Sequence, residues 1–299
     1  MKILITGASG LIGKALQKSF REKGYELLLA SRSEPKDDRH IQWSTDTGFR
    51  DEDIPLLEGL DAVVHLAGES VSGLRWTDEK KKAIRDSRVF GTRSIIETLD
   101  KLTDKPKVFI SGSAIGFYGD RGNDELTESS PSGKTFLAEV CKEWEAESRR
   151  AEDLGIRTVL LRTGIVLSKD GGALATMLTP FKFGVGGVVG DGKQWMSWIS
   201  LDDVVGIVNF ALENESVRGA LNVTAPNPVS NEEFTKTLGA VLYRPTFLPL
   251  PEFAVHMVFG EMGDALLLDS TRVMPKRIND AGYQFKFTNL KAALENAVE

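Results

Sequence analysis

The first half of the chain alternates short apolar runs with longer amphipathic stretches. "KILIT" (2–6), "ELLLAS" (26–31), "DAVVHLAG" (61–68), "KVFISGS" (107–113) and "RTVLLRTG" (157–164) are continuous apolar runs of strand length. Between them lie a helical pattern from Leu11 to Lys23, a long polar helix from about Thr77 to Leu102, and "KTFLAEVCKEWEAE" (134–147). In the last of these, Phe136, Leu137, Val140, Cys141 and Trp144 fall on one face of a helix. Strands that are apolar throughout, rather than at every second residue, are buried on both faces. That is the signature of a parallel sheet covered by helices on each side, with right-handed crossovers. The expected fold is α/β, a Rossmann-type doubly wound parallel sheet.

After Gly164 the pattern loosens. "FKFGVGGVVGDGKQWMSWIS" (181–200) is rich in glycine and holds two tryptophans. "LDDVVGIVNFALEN" (201–214) and "SNEEFTKTLGAVL" (230–242) read as helices, with "ALNVT" (220–224) a strand between them. From Arg244 the chain carries Pro245, Pro249 and Pro251, then apolar helical segments around 252–268, and ends in "NLKAALENAV". This predicts a domain over 1–243, with substrate-side insertions from about 165, and a small helical domain over 244–299.

"ILITGASGLIG" changes the picture from fold to ligand. Gly7, Gly10 and Gly13 stand between a strand and a helix. Gly7 permits the tight turn, Gly10 lets the backbone approach a pyrophosphate, and Gly13 lets helix and sheet pack closely. The backbone of Ser9, Gly10, Leu11, Ile12 and Gly13 would then supply the unpaired N–H groups and partial positive charge of a helix N-terminus. At the end of the second strand an acidic residue would hold the ribose hydroxyls of NAD. This chain has Ser31-Arg32-Ser33. A guanidinium pairs bidentately with a 2′-phosphate, so the expected cofactor is NADP(H). One such bond nets about 1.5–3 kcal/mol, or roughly ten- to a hundredfold in affinity.

Composition narrows the rest. With 41% hydrophobic and 27% charged residues over 299, the chain is an ordinary globular protein. A net charge of −6 disfavours nucleic acid as a partner. Three histidines and one cysteine offer neither zinc-type spacing nor an internal disulfide. No stretch has eighteen consecutive apolar residues. No metal and no membrane are expected, and the expected location is the cytoplasm.

Several motifs resemble the short-chain dehydrogenase/reductase superfamily in its extended, epimerase-like form. "TGASGLIG" resembles the cofactor loop of that form. "HLAG" resembles the segment beneath the adenine ribose, which implies cofactor contacts for Leu66, Ala67 and Gly68. "SGSAIGFYG" resembles the catalytic-serine strand and the tyrosine-glycine that follows it, and "WISLDDV" (198–204) the segment before a substrate-side helix. The tail "RPTFLPLPEFAVHMVFGEMGDALLLDSTRVMPKRINDAGYQFKF" is more specific. It closely resembles the C-terminal domain of an atypical bacterial group named epimerase-family proteins.

Ordinary members of the superfamily use a tyrosine, a lysine four residues on, a serine and an upstream asparagine. The lysine and the nicotinamide charge lower the phenol from about 10 towards working pH. Here Ser113 stands at the serine position. Arg88, in "DSRVFGT" (86–92), stands where asparagine is expected. One helix register puts Phe136 and Val140 at the tyrosine-lysine positions and the other puts Leu137 and Cys141 there. Lys142 is turned about 100° from Cys141 and faces solvent.

Other groups remain to move protons or hold substrate. The resemblance implies that Tyr118 lines the substrate pocket and that Arg162 faces the cofactor cleft. Lys134 stands before the helix, and Glu69 can accept a proton or pair with Arg88. Arg75-Trp76 can hold an anionic or planar substrate. Gln194, Trp195 and Trp198 follow a loop suited to a lid, and Asp202-Asp203 suit a helix cap. Two functions lead over a third, a structural protein that has lost the cofactor, which the intact glycines and Arg32 disfavour. One is an NADP-dependent oxidoreductase or nucleoside-sugar-epimerase-like enzyme using Ser113 and Tyr118 on a small carbonyl or hydroxyl compound. The other is a non-catalytic NADPH-binding sensor or partner-binding protein. Related chains often pair through long helices on the sheet face, which leaves a homodimer open.

Overall fold

In the computed structural model, residues 1–35 and 37–299 are described. Strands β1 (Lys2–Thr6), β2 (Glu26–Ser31), β3 (His40–Ser44), β4 (Gly48–Phe49), β5 (Ala62–His65), β6 (Val108–Ala114), β8 (Arg157–Thr163) and β12 (Gly219–Val223) form one sheet. Its order is β12-β8-β6-β5-β1-β2-β3-β4. Every pairing is parallel except β3 with the two-residue β4. The chain runs outward from β1 through β2 and β3, then returns to the other side at β5. The crevice between the C-terminal ends of β1 and β5 is therefore the topological switch point, where open α/β sheets bind ligands.

Alternate residues of each strand feed two cores. Ile3, Ile5, Leu27, Leu29, Val64 and Ile110 pack with helices α1 (Leu11–Glu22) and α5 (Leu201–Glu213). Leu4, Leu28, Val63 and Phe109 pack with α2 (Asp78–Lys101) and α3 (Phe136–Asp153). Both faces are apolar because both are covered.

A third core lies beside the sheet. It joins α4 (Gly172–Lys182), α6 (Asn231–Leu242), α10 (Leu290–Val298) and the fully buried Trp198. Short pairings frame it: β9 (Ile165–Leu167) with β11 (Trp198–Ser200), and β10 (Trp195–Met196) with β13 (Val229–Ser230). A further pairing joins β7 (Glu125–Leu126) to β14 (Arg272–Val273). The segment 244–299 thus has no core of its own. Its last helix completes a core begun by α4 and α6, and Tyr283 and Phe285 pack against the α1/α5 layer. The expected helical stretch around 252–268 is broken at Gly260, whose φ of +54° ends α7 (Glu252–Phe259). The one-turn α8 (Glu261–Gly263) follows, and α9 (Lys276–Asp280) lies farther on.

Candidate functional site

The turn after β1 is shaped by steric exclusion. Gly7 has a φ of +68°, and a Cβ there would lie 2.6 Å from the carbonyl carbon of Leu66. A Cβ on Gly13 would lie 2.4 Å from the oxygen of Gly7. The two glycines let the loop fold over the first turn of α1 while that turn sits against "HLAG". Five helices here (α2, α3, α5, α6 and α10) are capped by a Thr, Ser or Asn side chain. The cap position of α1 is Gly10, with no side-chain cap and no acidic residue in the first turn. The first intrahelical bond to Gly10 comes from Lys14, so the N–H groups of Leu11, Ile12 and Gly13 point out of the helix end and have no partner among the described residues. Ser9, Gly10 and Gly68 are exposed, and Leu66 and Ala67 half-buried. The cradle fits a pyrophosphate. Arg32 is exposed at the end of β2, and its charge reaches Glu69 across the crevice. Ser31 donates to the carbonyl of Ser33.

The two central strands are tied together beneath this cradle. His65 is fully buried, with Nδ1 2.6 Å from the hydroxyl of Thr6 and Nε2 3.0 Å from that of Thr92. Burial, with the Arg88 charge adding to it, pushes its pKa down to about 3, so the imidazole is neutral. Thr6 in turn accepts from the Ala67 N–H at 3.2 Å.

Next to it, at the C-terminal end of β6, a polar cluster is folded inward. Ser113 donates to Oε1 of Glu145 at 2.8 Å. The Nε and Nη2 of Arg162 bind Oε1 and Oε2 of the same carboxylate at 2.7 and 2.8 Å. Nη1 of Arg162 donates to the hydroxyl of Tyr118 at 3.0 Å, and the guanidinium lies 3.5 Å from the Phe117 ring centre. The Tyr118 hydroxyl lies 2.6 Å from Oδ1 of Asn222, whose amide nitrogen donates to the Met274 carbonyl. Burial works against the Arg162 charge, but the Glu145 hydrogen bond and charge outweigh it and hold the guanidinium more basic than usual. Burial pushes the Tyr118 phenol up.

This placement differs from the sequence expectation. Arg162 does not face the cleft, because it is 4% exposed and occupied by Glu145. Tyr118 is fully buried and packs with Leu126 and with Val273 of the tail. Ser113 is 6% exposed, and its one proton is directed at Glu145. Sequence reasoning missed Glu145, although its spacing gave a signal: it lies four residues beyond Cys141, on the same helical face.

The corner beside Ser113 holds Arg88, Cys141 and Trp144. The Arg88 guanidinium lies 3.2 Å from where a Gly68 Cβ would stand, and 5.3 Å from the Trp144 ring centre. Its Nη1 donates to the carbonyls of Glu69 and Ile84, both at 2.9 Å. Cys141 is buried, and burial and the Glu145 charge push its thiol up to about 11.

The remaining candidates have other work. Glu69 pairs with Lys80 at 2.6 Å and not with Arg88. Arg75 donates to the carbonyls of Val258 and Met257 on α7, and Trp76 packs on Phe136. Lys134 is exposed. The glycine-rich segment is pinned through bridges of Gly187 to Phe247 and Val189 to Leu250, while Gln194 donates to the carbonyls of Val189 and Leu267. Trp198 is core, and Trp195 stacks on Arg272. The cap of α5 is Ser200. Asp203 instead accepts from the N–H groups of Lys286 and Phe287 and pins the tail. Among the described residues no group of His, Cys, Asp and Glu is placed to hold a metal ion, and no helix is long and apolar enough to cross a membrane.

Comparison with known proteins agrees with this geometry. Residues 3–224 match the NAD dependent epimerase/dehydratase family, and residues 250–297 match a domain of unknown function, DUF1731. The chain is 39% identical to the chloroplastic SDR39U1 homologue of Arabidopsis thaliana, over 98% of this chain and 86% of that protein. It is 36% identical to the epimerase family protein YfhF of Bacillus subtilis, over 100% of this chain and 98% of that one. The crystal structure of human epimerase family protein SDR39U1 with NADPH superposes with a TM-score of 0.91 at 36% identity, covering 99% of both chains. With the switch-point cradle, the uncapped α1 and both matched segments in place, this chain belongs to the NAD dependent epimerase/dehydratase family, in the group whose C-terminal segment is DUF1731.

Proposed function

We propose that the chain is an NADP(H)-dependent oxidoreductase or epimerase-like enzyme acting by hydride transfer on a small hydroxyl or carbonyl compound. The observation that carries the reading is the glycine cradle at the switch point. It has three free N–H groups at an uncapped helix end, and Arg32 stands at the end of the neighbouring strand. The relative crystallised with NADPH supports the same cofactor.

Leu11, Ile12 and Gly13 would hold the pyrophosphate, Arg32 the 2′-phosphate, and Leu66 to Gly68 the ribose side. The nicotinamide, when bound, supplies or accepts the hydride. The chain's own contribution is the proton. Ser113 gives its hydrogen to Glu145, so towards a substrate it offers lone pairs. A substrate hydroxyl donates to Ser113 Oγ while the Ser113 proton moves onto the Glu145 carboxylate. Reduction runs the same path backwards. Arg162 and Tyr118 are positioning residues for Glu145.

A sensor that binds NADPH without turnover is the second reading, favoured because, among the described residues, no phenol or lysine amine bonds to Ser113. The experiment loads the protein with NADPH deuterated at the transferable position, incubates it with a small-molecule cell extract, and follows the label by mass spectrometry beside Ser113→Ala and Glu145→Gln. Label reaching a metabolite in the wild type, and strongly reduced in both variants, is the expected result. Label kept on bound cofactor in the wild type overturns the enzyme reading in favour of the sensor. Failure to bind NADPH overturns both.

A further inference from the structure

Arg88 is a half-buried guanidinium with one nitrogen engaged and one edge free. Nη1 serves two backbone carbonyls. Among the described residues, Nε and Nη2 have no hydrogen-bond partner and no carboxylate within ion-pair distance, and neither is sealed from solvent. Those two nitrogens form the side edge of the guanidinium fork, which takes a carboxylate through two parallel bonds. Arg162 uses that same edge on Glu145. At Arg88 the protein's own carboxylate is missing, because Glu69 is held by Lys80.

Such a charge is costly where it sits. Burial disfavours the charged form of Arg88, and a desolvated charge without its partner is destabilising. Its position points to what would complete it. The guanidinium plane lies over Gly68, at the mouth of the switch-point crevice, and its charge acts on Cys141, the neighbour of Ser113.

We infer that the free edge of Arg88 recognises a carboxylate carried by the substrate, which makes the substrate a small hydroxy acid or oxo acid. This rests on the reading of the crevice as the cofactor and substrate site. The acid's carboxylate spans Nε and Nη2, and its hydroxyl or carbonyl is thereby turned towards Ser113. An arginine at this position acts as an anion clamp, a task that an asparagine side chain cannot perform.

NADPH binding is measured first and alone, by quenching of protein fluorescence; failure there overturns the functional reading. The NADPH-loaded protein is then titrated with glycolate, lactate, malate, pyruvate, 2-oxobutyrate and 2-oxoglutarate, each beside its neutral amide. The readout is tryptophan fluorescence, since Trp144 lies against Arg88. At least one acid is expected to bind saturably and about tenfold or more tighter than its amide, the ratio a charge-assisted pair supplies. Arg88→Gln is expected to lose that preference, and Arg88→Lys to keep part of it. NADPH affinity should stay within about threefold in both. The inference is overturned if no acid binds the loaded protein, if the amides bind equally well, or if Arg88→Gln keeps the preference. A loss in Arg88→Gln that falls on NADPH assigns the edge to the cofactor and overturns it too. The acid-to-amide ratio in the wild type decides the matter should the variants fail to fold.

Discussion

Arg162 and Arg88 flank the same serine and meet opposite fates. Arg162, on the last residues of β8, has every nitrogen directed at a partner. Glu145 takes two nitrogens, Tyr118 the third, and Phe117 covers the face. Arg88, on α2, has two carbonyls on one nitrogen and an open edge. The first is a circuit the chain closes with its own side chains, and the second an open one that a ligand can close. A buried charge therefore reads as architecture or as recognition according to whether the chain supplies its counter-ion.

The largest expected effect breaks the closed side. Arg162→Ala strands Glu145 without its partner and should cost about 3–5 kcal/mol in urea unfolding. Replacing both as Arg162→Met with Glu145→Leu should recover most of that loss, because two desolvated charges leave together. If the double variant were as unstable as the single one, the circuit would be held by Tyr118 and Asn222 rather than by the ion pair.

The second effect is one of pH, and it probes the burial of His65 beside that cluster. His65 has a folded pKa of about 3, below its unfolded value. Its contribution is fully present above about pH 6.5 and falls as pH drops, by about 1.4 kcal/mol per unit, because only the unfolded chain takes the proton. Asp269, pushed up to about 6 by burial and by Asp120 and Asp264, acts in the opposite sense: it adds stability as pH falls from about 6 towards 4. The His65 part is isolated as the difference in slope between wild type and His65→Asn, read from urea midpoints between pH 7 and 5. Equal slopes would mean that His65 is protonated in the folded chain.

Much of this was legible beforehand, and the reasons differ by region. The five central strands were readable because each is apolar throughout, and the glycine loop because steric exclusion leaves few alternatives at Gly7 and Gly13. α4 was not, since it opens with glycine and holds Pro180. The inward turn of Arg162 was not legible either. A strand's alternation tells which face a residue takes, but not that a glutamate from a helix waits there. The boundary expected near 244 rests on a change in sequence pattern, whereas the packing crosses that point through α10.

Arg88→Gln itself should cost little, about 1 kcal/mol in urea unfolding, since two hydrogen bonds and some packing on Trp144 are lost but no counter-ion is stranded. The contrast with Arg162→Ala is the quantity of interest. Equal costs would mean that Arg88 is a structural residue and that its open edge is incidental.

The smallest effect is the most local. Cys141 reports the charge of Arg88, because the guanidinium offsets part of the rise from burial and Glu145 that leaves the thiol at about 11. At pH 7 roughly one thiol in ten thousand is ionised, so alkylation by iodoacetamide should be slow in the native protein. An acid bound to Arg88 neutralises that charge with the side chain still in place. The thiol should then rise further and alkylation slow about twofold, whereas the neutral amide leaves the rate unchanged. Faster alkylation with acid bound would mean that the ligand opens a path to the sulfur. Arg88 would then act as a plug over Cys141 rather than as a clamp on the substrate.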